Sequence, residues 1–102
     1  MDSAKKTRLK QAGWKTGSVA EFLELTPEES GLIEIKLRLS ELVRKARVRQ
    51  RLSQVLLAKR LGSSQSRVAK IESGDPSVSL DLLFRASLAS GATRKELARA
   101  IT

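Results

Sequence analysis

"LAKRLGSSQSRVAKIESG", Leu57 to Gly74, sets a glycine and three serines between two stretches with helical patterning. Either the chain drifts through a linker here or it turns a fixed corner. Leu57, Ala58 and Leu61 share one helix face, and Gly62 follows the last of them, where a left-handed cap requires a residue without a Cβ. Ser53 is placed to cap the first segment and Ser64 the second, whose Val68 and Ile71, three apart, define a buried edge. Segments of about eight residues do not hold a helix alone, so these two must pack on each other. The chain therefore turns at Gly62.

Helix, short glycine-containing turn, helix is the helix-turn-helix arrangement, which holds its second helix out for the DNA major groove. With Val68 at zero and about 100° per residue, Ser66, Lys70 and Ser73 fall near 160°, 200° and 140°, away from the core. Gln65 and Ala69 flank that face on one side and Arg67 on the other. It offers donors and acceptors without a carboxylate or a large apolar group, a surface suited to base edges bordered by phosphates.

Outward from this corner, further helix starts are written in the sequence. Ser18 with Glu21, Thr26 with Pro27 and Glu29, and Thr93 with Glu96 have capping-box spacing. They predict a short helix over about 19–25, a long one from Pro27 to about Gln50, and a final helix in "TRKELARAIT". Leu32, Ile35, Leu39, Leu42 and Ala46 form one stripe on the long helix, and Ile33 with Leu37 a second, to be covered by the short preceding helix or a second subunit. Its acidic residues Glu28, Glu29 and Glu34 lie toward the N-terminal end and Arg44, Lys45, Arg47 and Arg49 toward the other, as the helix dipole favours. "SLDLLFRASLASG" reads as a helix capped by Ser79 and stopped by Gly91, with Leu80, Leu83, Phe84 and Leu88 inward. With no strand-like alternation, the reading is all-α.

The 102 residues suit one domain, expected over 18–102 with the helix-turn-helix at 53–72, preceded by a flexible basic arm over 1–17. Trp14, the only tryptophan, is read as an anchor for that arm, with a partner contact as the alternative. Twenty Lys and Arg against eleven Asp and Glu give a net charge of +9. The surplus is concentrated: residues 36–70 hold eleven basic side chains and one acidic, whereas 18–35 hold five acidic and none basic. A block of that density favours a polyanion, nucleic acid before an anionic membrane. Cys and His are both absent, so neither a disulfide framework nor the usual zinc ligands exist, and no cofactor or metal is expected. No enzyme motif stands out, and with no apolar run long enough to span a membrane the expectation is a cytoplasmic, non-enzymatic protein.

Residues 52–76, "LSQVLLAKRLGSSQSRVAKIESGDP", resemble the helix-turn-helix core of the XRE family, related to phage repressors and Cro proteins. Gln54 and Gln65 occupy the first position of the two helices, with Leu57-Ala58, Leu61-Gly62, Ile71-Glu72 and Gly74 in register. The resemblance implies a compact, five- to six-helix fold of the phage-repressor-like type. It also implies that Gln54 anchors to a backbone phosphate, that Ser64 lies near one, and that Gln65, Ser66 and Lys70 approach bases. Arg67, beside that face, is assigned to bases as well, and Arg47 and Ser73 to phosphates. Leu56 departs from the family, which often has a polar residue there; packing against the N-terminal extension or a partner would account for it. The wider chain, with "GW" and "SVAEFLELTPEES" before a long helix, resembles the HigA-like antitoxins.

These readings lead to a dimeric, sequence-specific repressor on a palindromic double-stranded DNA operator. The alternative is an antitoxin whose acidic segment and arm bind a small toxin, and a basic binder without sequence preference is a third possibility. The glutamines argue against the third, since charge alone needs no Gln.

Overall fold

In the computed structural model, which describes residues 25–102, the helices begin where the hydroxyl side chains stand. Among the described residues there are five: α1 (Pro27–Arg49), α2 (Gln54–Leu61), α3 (Gln65–Ser73), α4 (Leu80–Ala89) and α5 (Arg94–Ala100). Thr26 Oγ1 accepts from Glu29 N at 3.1 Å while Glu29 Oε1 accepts from Thr26 N at 3.2 Å, so the expected capping box closes. Ser53, Ser64 and Ser79 each accept from the backbone three residues on, and Thr93 with Glu96 forms a second box. The short helix expected over 19–25, the arm over 1–17 and Trp14 lie outside the described residues, apart from Leu25, which is not helical.

The helices end as locally as they begin. Gly62 (φ 63°), Gly74 (φ 78°) and Gly91 (φ 97°) take the left-handed conformation. After α2, Gly62 N donates to Lys59 O and Ser63 N to Ala58 O, the paired closure of a Schellman motif. The same pairing ends α1, Arg51 N to Val48 O and Leu52 N to Arg47 O, but there the left-handed residue is Arg51 (φ 56°). No sequence signal marks that stop.

The chain parts into two units within α1, residues 1–34 and 35–102. The second carries the core: Leu39 and Val43 of α1, Leu57 and Ala58 of α2, Val68 and Ile71 of α3, Val78, and Leu83 and Ala86 of α4. Ile35, Leu42, Leu61, Leu80 and Leu97 pack around it. Val43 is fully buried, four residues after Leu39 on the same face, and belongs with the α1 stripe although the sequence reading omits it. Within the first unit Leu32, expected in that stripe, is exposed.

The expected inner face of α4 needs correction. Phe84 and Leu88 are 37% and 51% exposed, because Leu83 and Ala86 fill the inner side of α4 and the line through Leu80, Phe84 and Leu88 runs along its edge. Leu37 lies against Gly74, so closely that a Cβ on the glycine would come within 2.8 Å of the leucine Cδ2, and the α3 exit thus meets this part of the second strip. Leu37 is still 42% exposed.

Candidate nucleic-acid interface

The corner at Gly62 carries α2 into α3 with only Gly62, Ser63 and Ser64 between them. Leu57, Ala58, Val68 and Ile71 bury the facing sides, which turns Gln65, Ser66, Arg67, Lys70 and Ser73 outward, all exposed. This is the face the helical angles place away from the core.

A chain of side-chain hydrogen bonds runs beneath it. Arg47 on α1 donates two N–H groups to Glu72 on α3 and a third, from Nη1, to Leu52 O at 2.8 Å. The two side chains of the ion pair are only 15% and 6% exposed. Glu72 Oε1 also accepts from Gln54 Nε2 at 3.2 Å, and Gln54 Oε1 accepts from Gln65 Nε2 at 3.1 Å. Arg47, Gln54 and Gln65, singled out separately from the sequence, are therefore one connected set.

The remaining residues form a second group. Ser64 Oγ accepts from Arg67 N at 3.2 Å and lies 3.1 Å from Ser66 Oγ. Ser64, Ser66, Arg67 and Lys70, together with Ser77 and Ser79 ahead of α4, line a cleft of about 340 Å³. Ser73 stands apart, its hydroxyl turned back to donate to Lys70 O at 2.9 Å. Just past α3, Asp75 Oδ1 accepts from Ser77 N and Ser77 Oγ at 2.8 and 2.7 Å, which holds its carboxyl below the usual range, with Lys70 adding to the effect. The sequence reading of the outward face did not weigh this anionic group.

Glu72, named from the sequence only for its register, is the residue that joins Arg47 to Gln54. It follows Gln65 by seven residues, two helical turns, and so shares its side of α3. A carboxylate on that strip, in a chain with surplus arginine, is a readable sign of an internal partner. Among the described residues no cluster of acidic or other ligating side chains could hold a metal, and no helix is long and apolar enough to cross a membrane.

No curated protein and no solved structure gives a significant match to the chain. A family model described as helix-turn-helix matches residues 43–97, a span that runs from the end of α1 into α5 and contains the α2 and α3 corner. That match covers more than half of the 102 residues, and it coincides with an all-helical architecture of the phage-repressor-like type. The chain belongs to the XRE-type helix-turn-helix family and is a double-stranded-DNA-binding regulator by class.

Proposed function

We propose that the protein is a sequence-specific repressor that binds a palindromic operator as a homodimer, with α3 in the major groove. The observation that carries this reading is the bond from Gln65 to Gln54 across the turn, 3.1 Å long, on an otherwise exposed polar face. A glutamine that serves only solubility gains little from being fixed, whereas one that reads a base edge needs a set direction.

In this reading Gln65, Ser66, Lys70 and Arg67 meet bases, and Gln54, Ser64 and Ser73 meet the backbone on either side. Arg47 supports the phosphate contacts by holding Glu72 and thereby Gln54, since three of its N–H groups are already engaged inside the protein. Gln65→Ala should weaken binding to the preferred site by about 1–3 kcal/mol and leave random duplex nearly unaffected. Titrations of both duplexes test this, and an equal loss on the two would remove α3 from the groove.

The dimer follows from the two half-sites that such modules read about one helical turn apart. Sedimentation at micromolar concentration, with and without the selected operator, should show two chains per duplex; one chain in both conditions contradicts it. A second reading, toxin neutralisation, is favoured by residues 18–35, which carry five acidic side chains and no basic one. Co-purification with the product of an adjoining small reading frame tests that role, which is compatible with repression.

A further inference from the structure

We infer that the outer face of α1, along Leu37, Glu41, Arg44 and Val48, is where a second copy of this chain docks, antiparallel and about a two-fold axis. The inference deepens the homodimer reading above and rests on it. Leu37 and Val48 are 42% and 55% exposed at the two ends of the strip, and Glu41 and Arg44 stand exposed between them. With Leu37 at zero, the other three fall within about 40° of it, whereas the buried Leu39, Val43 and Ala46 lie at roughly 180–240°. The strip is thus the side of α1 turned away from the core.

Steps of four, three and four read the same from either end of a helix, so a reversed copy brings the strip onto itself in register. Leu37 then meets Val48 of the partner subunit and Glu41 meets the partner subunit's Arg44, each pair occurring twice. Apolar faces apolar, and acid faces base. Lys45 already takes one oxygen of Glu41, at 2.9 Å, but a carboxylate accepts more than one donor. Neither α4 nor α5 has this property. On α4, reversal of the exposed line Asp81, Phe84, Arg85 and Leu88 sets Asp81 against the partner's Leu88. On α5 the exposed Arg94, Lys95 and Arg99 would face their own kind, since the one acidic side chain there, Glu96, is held by Arg49.

The pairing also aims the reading helices. Antiparallel helices packed side by side are exchanged by a two-fold axis perpendicular to both and to the line between them. With the strip turned toward the partner, that axis points along the flank of α1 that carries Lys36 and Arg47, about a quarter turn from the strip. Those two residues reach α3 and its exit: Arg47 donates to Glu72, and Lys36 Nζ donates to Pro76 O at 3.0 Å. Rotation about an axis leaves height along it unchanged, so both copies of α3 emerge on the same side of the dimer, as a palindromic operator requires. Arg49, on the opposite flank, ties α5 to the other side.

Charge reversal on the full chain tests the pairing. Association is measured by sedimentation equilibrium on the free protein and, on the selected operator, as cooperativity between half-sites. Glu41→Arg and Arg44→Glu each set like charges opposite one another twice, and each should weaken the dimer about tenfold or more. Both positions face solvent, so the melting temperature of the monomer should stay near that of the wild type. Mixed in equal amounts, the two variants should associate with each other at least as tightly as the wild type does with itself, because every facing pair is then of opposite sign. The double variant Glu41→Arg/Arg44→Glu should likewise recover self-association. Single variants that dimerise as tightly as the wild type, or that stay apart when mixed, overturn the α1 interface alone and move the dimer to another surface, such as the α4 edge. A wild type with neither association nor cooperativity removes the homodimer reading and this inference with it.

Discussion

Arg51 and Gly62 hold the same left-handed backbone conformation, φ 56° and 63°, in the same closing motif, with opposite side-chain demands. That region costs a residue with a Cβ roughly 1–2 kcal/mol and costs glycine nothing comparable. Gly62→Ala should therefore destabilise the fold by about 1 kcal/mol, with no contribution from crowding because nothing lies within 4 Å of the added carbon. Arg51→Gly should do the reverse, raising stability by about 0.5–1 kcal/mol after its own loss of chain entropy is deducted. Chemical denaturation of the two variants checks both signs in one experiment. The comparison also explains what was legible. Gly62 advertises its conformation through its identity, whereas Arg51 adopts it because Leu52 and Ser53 must start the next helix at once, a demand that residue type does not display.

At the scale of elements, α1 is tied to α3 by a shielded ion pair and to α5 by an open one, and the two should behave differently. Removing one partner of a shielded pair strands the other, at a cost of about 3–5 kcal/mol. Glu72→Ala, which strands both Arg47 and Gln54, should accordingly bring the protein close to its stability limit, measurable as a large drop in melting temperature. Arg49 meets Glu96 at 2.8 Å in a more accessible setting, where pairs contribute little at neutral pH. Whatever the pair and the Thr93 cap contribute there is lost in acid. Arg49 first, and then Thr93 N–H, draw the Glu96 carboxyl down from 4.5 to about 2. A carboxyl lowered in the folded state stabilises above its unfolded pKa, and that contribution fades as pH drops from 4.5 toward 2. Glu96→Gln should flatten this part of the stability profile, and melting curves across that range would show it. Helix starts, the Gly62 corner and the inward faces of α2 and α3 could be read from caps and spacing because each is settled by nearby residues. The edge placement of Phe84 and Leu88 and the pairing of Arg47 with Glu72 depend on where other helices lie, twenty or more residues away in the latter case, and periodicity carries no such information.

For the whole molecule, a charge of +9 with no histidine means that little titrates near neutrality. Affinity for DNA should be nearly flat from pH 6 to 8 yet fall steeply with salt, with log K decreasing by about 0.9 per phosphate contact for each tenfold rise in salt. If Lys70 contacts a base, as proposed, Lys70→Ala should narrow the specificity ratio more than it lowers the salt slope; a slope reduced by about one with an unchanged ratio would assign it to phosphate. The closed corner between α2 and α3 has a thermodynamic consequence as well. Its backbone donors are already satisfied at Lys59 O, Ala58 O and Ser64 Oγ before any partner is present, so nothing in residues 53–74 has to fold upon the duplex. Calorimetry of this region's contribution to association should accordingly give the modest negative heat-capacity change of two preformed surfaces meeting, in place of the large one that accompanies an ordering segment.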